Sequence, residues 1–246
     1  MRAMASTAAH WKQQTSAGAL DRLTERYAVT ARLRSRLGST FSSVRSYSTH
    51  FPLDETPISE SGAWVNGAID GIDWHDVVTK NGVAHGALST GRYTDPTALL
   101  TGVWGKNQAV KAVVCSSNQT ERYYQEVEIR LRSTLAAHSC TGYEVFWRCL
   151  ETQNAYAEIV RWNGSVGDWT SLQKHTGTQY GVRHGDLVEA TIVGDVIRGY
   201  VNGEEVISAT DNTYTAGSPG MGFNYGVGET NGDFGFSYFE VDSYDD

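Results

Sequence analysis

From about residue 109 onward, apolar and polar side chains alternate along the chain with a period of two, the pattern of strands that bury one face. The stretch Glu121 to Thr134, ERYYQEVEIRLRST, shows it most clearly. Tyr123, Gln125, Val127, Ile129 and Leu131 fall on one face, which should lie in a core. Tyr124, Glu126, Glu128, Arg130 and Arg132 fall on the other, which should meet solvent or a ligand. Gly142 to Leu150 repeats the period with bulk on both sides: Tyr143, Val145, Trp147 and Cys149 stand opposite Glu144, Phe146, Arg148 and Leu150. Tyr156 to Trp162 follows, with Asn163-Gly164 as the turn into Trp169 to Leu172.

Residues Asp186 to Phe239 add the turns that fix an antiparallel order. Val188, Ala190 and Ile192 alternate up to a turn at Gly194-Asp195, and Ile197, Gly199 and Val201 alternate up to Asn202-Gly203. Asn-Gly is a strong hairpin signal because both central positions of a type I′ turn need positive φ. A three-stranded meander is predicted here, followed by strands at Pro219 to Tyr225 and Phe234 to Val241. Upstream, Ala63 to Ile69, Val83 to Leu88, Leu99 to Trp104 and Ala109 to Cys115 are further strand candidates. About a dozen short strands, with no helical repeat after residue 50, predict an all-β sandwich or barrel.

The first fifty residues break this pattern. Leu20, Leu23, Tyr27, Ala31 and Leu37 recur near a 3.6 period, so a helix is expected from Ala9 to about Gly38, then a Ser/Thr-rich link from Ser39 to Thr49. The domain organisation expected is therefore an N-terminal arm over residues 1–50 and a β body over 51–246. The arm holds eight Lys/Arg against Asp21 and Glu25, although the net charge of the 246 residues is −8. A basic arm on an acidic body has three readings: docking on its own or a neighbouring subunit, contact with nucleic acid, or targeting, since its Arg- and Ser-rich composition also resembles a mitochondrial transit peptide. Docking on protein is favoured over nucleic acid.

The 26 Gly, 4 Pro, 13 Tyr and 7 Trp suit a sandwich with tight turns and aromatic strand faces. Cys115, Cys140 and Cys149 show no zinc spacing, and buried thiols are expected, with a Cys140–Cys149 pair across neighbouring strands as the alternative. No run has the apolar length to span a membrane, and the N-terminus lacks the apolar segment of a secretory signal.

Several segments resemble the concanavalin A-like lectin/glucanase jelly rolls, in the LamG-like branch: GYEVFWRCLETQNAYAEIVRWNGSVGDWTSL, ATIVGDVIRGYVNGEEV, GSPGMGF and the terminal FGFSYFEVDSY. The resemblance covers roughly residues 51–243 and implies two antiparallel sheets, with glycans held on the concave face of one. It specifies fold far better than function, since the superfamily includes lectins, binding modules, hydrolases and lyases. Some members hold a structural calcium where the first and last strands meet, and by position Asp54 and Asp242 would serve it here.

The catalytic strings of the family's enzymes are absent. Laminarinase-type members present E-x-D-x-x-E on one strand, and the nearest match is Glu126-x-Glu128, with Arg130 and Arg132 continuing the face. Guanidinium groups nearby should lower those carboxyl pKa values, the wrong direction for a general acid, so a salt-bridge ladder is expected. Of the alginate-lyase-like strings only Arg130-x-Arg132 is echoed, and His175 and His184, near Tyr180, fall in an expected loop. A sugar site needs aromatic platforms beside planar polar groups. Tyr124, Glu126, Arg130 and Arg148, with Trp169 and Tyr225 at loop edges, are the candidate set. The function expected is a non-enzymatic glycan-binding or structural jelly roll, built into an assembly such as a virion by its arm and reaching the exterior without a signal peptide. The alternatives are a polysaccharide hydrolase or lyase of the same fold and a mitochondrial or cytoplasmic location.

Overall fold

A computed structural model describes residues 43–67, 74–87, 95–224 and 231–245. The helix expected between Ala9 and Gly38 lies outside the described residues. In chain order the strands are β1 (Ser43–Thr49), β2 (Trp64–Asn66), β3 (Val77–Lys80), β4 (Val83–Gly86), β5 (Thr97–Leu100), β6 (Asn107–Ser116) and β7 (Glu126–Ala136). They continue as β8 (Ser139–Arg148), β9 (Tyr156–Gly164), β10 (Trp169–Thr176), β11 (Leu187–Val193), β12 (Val196–Val201), β13 (Glu204–Thr210), β14 (Ser218–Asn224) and β15 (Phe234–Tyr244). Among the described residues no helix is long and apolar enough to cross a membrane.

The strands form two antiparallel sheets. One runs β13, β12, β11, β6, β15, β4, β3, with β1 also beside β15; the other runs β10, β9, β8, β7, β14, β5, β2. Alternation decides which side chains meet between them. Val110, Ala112 and Val114 of β6 and Val188, Ala190 and Ile192 of β11 face Val127, Ile129 and Leu131 of β7 and Val145 and Trp147 of β8 in one apolar core. All are fully buried. The meander forms as its turns require: Asn202 and Gly203 take φ of 52° and 87°, and Gly194, at 61°, opens the β11–β12 turn.

Three local expectations are corrected. Ser43–Thr49, read as a link, is a strand that pairs with β15 from Ser43↔Tyr244 to Thr49↔Phe239, so the sandwich begins before Phe51. Its SVRSYST sequence lacks the apolar run that marks a strand, and the backbone bonds to β15 supply what the side chains do not signal. Asn163-Gly164 is not the turn: β9 continues through Gly164, which pairs with Cys140, and the chain reverses over 165–168, where the Asp168 amide donates to Ser165 O at 2.9 Å. Finally, the three cysteines are free, with Cys140 and Cys149 buried. Cys140 lies near the start of β8 and Cys149 just past its end, nine positions on, so at about 3.3 Å per residue they are out of reach of each other.

The second sheet is buried on both faces where β7, β8 and β9 run. On its outer side Trp74, Phe146, Tyr156, Val160 and Trp162 form a second apolar cluster with Cys140. Trp74 and Trp162 meet edge to face, ring centroids 5.5 Å apart. The sheet's outer face is thus a built surface.

Candidate functional site

Register turns the outer face of the second sheet into rows of side chains. One row runs Gly222, Glu128, Phe146, Glu158, Lys174 across β14, β7, β8, β9 and β10. The next runs Gly220, Arg130, Glu144, Val160. At one end Asn224 and Glu126 stand opposite each other, and at the other Trp162 stands opposite Trp169. Above this grid opens a cavity of about 570 Å³. Its floor and walls come from Glu126, Glu128, Glu144, Phe146, Tyr156 and Trp162, its rim from Tyr124 and Trp169, and Asp95, preceding β5, closes one side.

The polar face of β7 was expected to meet solvent or a ligand, yet Glu126, Glu128 and Arg130 are all buried, Arg130 completely. Arg130 lies under the floor. Its Nη2 donates to Glu128 Oε2 at 3.0 Å and its Nη1 pairs with Glu144 Oε2 at 2.9 Å, while Trp162 Nε1 donates to the same Glu144 oxygen at 2.6 Å. The guanidinium also lies 5.3 Å from the Trp162 ring. One cation thus holds two carboxylates from adjacent strands, an arrangement whose rupture from either side would strand a buried charge at a cost of about 3–5 kcal/mol. Room for it depends on Gly222, where a Cβ would sit 2.2 Å from Glu128 Oε2.

At the other end, Glu126 accepts from Asn224 Nδ2 at 2.6 Å and from the Tyr156 hydroxyl. On the β9–β10 side, Lys174 Nζ donates to Glu158 Oε2 at 2.7 Å and lies 4.0 Å from the Tyr156 ring. Among the described residues the Asp95 carboxyl group takes no hydrogen bond, although Asp95 is only 8% exposed.

Asp95, Glu126, Glu128 and Glu144 hold their protons above the ordinary carboxyl range. Burial, with Glu144 nearby, raises Asp95 to about 7 against the pull of Arg130. Burial raises Glu126 to about 8, although its bonds from Tyr156 and Asn224 favour the charged form. Glu128 is pushed well up by burial and by Glu144 and Asp95, and Glu144 is also raised by burial, which outweighs Arg130 and Trp162. The expectation that guanidinium charge would lower these carboxyls is therefore overturned: Arg130 does act in that direction, but desolvation of a fully buried group is larger. The ladder expected along β7 is replaced by a buried triad spanning two strands.

Arg132 leaves the face altogether. A bulge lies between Leu131 and Thr134, Arg132 takes φ of 46°, and its side chain donates to the carbonyls of Lys106, Gly194 and Tyr214 at 2.7, 2.8 and 3.2 Å.

Of the six residues proposed for a glycan, Tyr124, Glu126 and Trp169 line the cavity, with Tyr124 54% and Trp169 46% exposed at its rim. Arg130 is beneath it. Arg148 is a buried clamp, donating to the carbonyls of Asn154, Glu121 and Tyr123 at 3.0, 3.0 and 3.1 Å, with Tyr124 stacked near its guanidinium. Tyr225 lies outside the described residues. Asp95, Glu144, Tyr156, Glu158, Trp162 and Lys174 join the site unforeseen. The rows on β8 and β9 could have been found by pairing the two alternating segments in register; Asp95 sits in a loop and carries no such signal. His175, expected in a loop, is on β10, its Nδ1 3.0 Å from Val206 O, and His184 Nδ1 accepts from the Ser116 amide at 3.4 Å. Neither lines the cavity.

The calcium pair is not assembled. Asp54 accepts from the Asn81 amide at 2.7 Å, whereas Asp242 accepts from the Ser46 hydroxyl, so the two acids serve different segments. Among the described residues no group of three or more His, Cys, Asp or Glu side chains could hold a metal ion.

No family model and no curated protein matches the sequence. Solved structures do match in shape. The exoplasmic/lumenal domain of VIP36, in a metal-free form, superposes with a TM-score of 0.55 at 12% identity over 82% of this chain and 93% of its own. The carbohydrate-binding module CBM66 from Bacillus subtilis gives 0.50 at 13% identity over 77% and 98%. A β-glucanase from Bacillus licheniformis gives 0.50 at 12% identity over 83% and 100%. The chain has the concanavalin A-like jelly-roll fold. Within this fold the grid of rows lies on the outer face of one of the two sheets, and at these identities the likeness reaches the fold and goes no further.

Proposed function

We propose that this jelly roll is a glycan-binding protein that holds a saccharide in the cavity above β7, β8, β9 and β10. The observation that carries the reading is the lining: exposed rings at both ends, Tyr124 and Trp169, over a floor of fixed carboxyl groups and buried rings. Aromatic faces suit the C–H faces of sugar rings, and protonated or ionised carboxyls supply donors and acceptors for hydroxyls. A lumenal domain also solved with Man3GlcNAc bound, a carbohydrate-binding module and a β-glucanase among the structural neighbours are consistent with it. On an oligosaccharide array the full chain is expected to retain at least one glycan, and Trp169→Ala to weaken that binding about tenfold without changing the melting temperature. Silence across the array would remove the reading.

A second reading, a polysaccharide-active enzyme, is favoured by one feature. Glu126 and Glu128 stand two residues apart on one strand face, about 7 Å between Cα atoms, and Glu126 keeps its proton at neutral pH as a general acid must. Release of reducing ends from a bound polysaccharide, abolished in Glu126→Gln, would establish it over binding alone. We further propose that the basic segment before β1 docks this body into a larger assembly such as a virion, the support being the charge contrast between segment and body.

A further inference from the structure

Counting the charges in the cavity narrows its ligand. Asp95, Glu126, Glu128, Glu144 and Glu158 supply five carboxyl groups to the lining. Among the described residues few cations stand near them, and two of these are committed. Arg130 is shared between Glu128 and Glu144, Lys174 is held by Glu158, and Arg122 lies at the exposed rim with its guanidinium 5.1 Å from the Tyr123 ring. Asp95 is nine-tenths buried and lines the cavity, and among the described residues its carboxyl group accepts no hydrogen bond; Glu128 bonds Arg130 through one oxygen, and among the described residues its other oxygen has no bond. Carboxyl oxygens that face a cavity without a protein donor can take one from a ligand.

Resting on the glycan-binding reading above, we infer that the cavity is selective for amino sugars with a free amine, whose ammonium group would sit between Asp95 and Glu128 while the sugar ring lies against the aromatic wall. An ammonium brings up to three donors to carboxyls that lack them, and it pairs with a carboxylate once the proton has left. Uronic and other acidic sugars are disfavoured at the floor, where Arg130 and Lys174 are already paired with carboxyl groups; among the described residues Arg122, at the exposed rim, is the cation without a carboxyl partner. The acid-lined cavity also separates this site from a uronate site, which would place an uncommitted arginine where Arg130 is already spent. Because Asp95 and Glu126 carry protons near neutrality, an arriving ammonium should expel one.

Calorimetric titration of the full chain tests this at about pH 6, where the sugar amine is already charged, in two buffers of different ionisation enthalpy. The probes are a glucosamine tetramer, its fully N-acetylated counterpart, a galacturonic acid tetramer and a lysine-rich peptide. The glucosamine tetramer is expected to bind about tenfold more tightly than the N-acetylated one, with release of about one proton to buffer, and Asp95→Asn to shrink that preference. Equal or tighter binding of the N-acetylated or uronic tetramer overturns amine selectivity and leaves the glycan reading standing. Tighter binding of the peptide overturns the assignment to sugars. Should no tetramer and no arrayed glycan bind, the glycan reading itself fails. The proton count on the unmodified chain decides the matter even if Asp95→Asn does not fold.

Discussion

Glu126 shows how burial can reverse an expectation drawn from neighbours alone. Arginines four and six places along a strand should depress a carboxyl, yet Glu126 rises from the ordinary 4.5 to about 8, because desolvation is the largest effect on a buried acid. A carboxyl whose folded pKa lies above its unfolded one binds more protons in the native state. Its contribution to stability is fully present below about 4.5 and is lost as pH rises through about 8. Asp95, raised to about 7, works in the same direction. The melting temperature should therefore fall as pH climbs through that window. Glu126→Gln, which cannot titrate, should flatten the slope when melting is followed from about pH 5 to about pH 9; an unchanged slope would show that Glu126 is not the group responsible.

Strands β7, β8 and β14 decide where these residues stand, and they mark the limit of what a sequence discloses. Alternation on β7 placed Val127, Ile129 and Leu131 in the core and Glu126, Glu128 and Arg130 on the opposite face, and the structure keeps both faces. The bulge that turns Arg132 away was not legible, because nothing in ERYYQEVEIRLRST departs from period two at that point. Burial of the polar face was not legible either. A face of Glu and Arg reads as solvent until its partners are known, and here these are Glu144 and Trp162, cross-strand neighbours set by register and not by local sequence. β14 contributes through what it lacks: a methyl group at Gly222 would collide with Glu128 Oε2 and come within 3.1 Å of Arg130. Gly222→Ala should destabilise the chain by about 1–3 kcal/mol in chemical denaturation, as overpacking does. A neutral result would mean the triad can shift without loss.

The sandwich as a whole was readable as a fold, since strand count, turn chemistry and the meander at Val188 to Val201 all point to one architecture. Its edge was not. Residues Ser42–Asp246 form one compact unit, and its first strand, Ser43–Thr49, covers β15 from Phe239 to Tyr244. A chain starting at residue 42 should melt as the full chain does, whereas one starting at Phe51 uncovers that length of β15 and should lose stability and associate through the bare edge. Equal melting of the two truncations would show that β1 adds little. The central claim, that a saccharide occupies the cavity above β7 to β10, is tested most directly by mapping amide and indole chemical-shift changes on the isotope-labelled protein as a retained oligosaccharide is added. The account predicts that the changes concentrate at Glu126, Phe146, Glu158, Lys174 and the indoles of Trp162 and Trp169. Changes confined to the other sheet, on β11, β12 and β13, would contradict it.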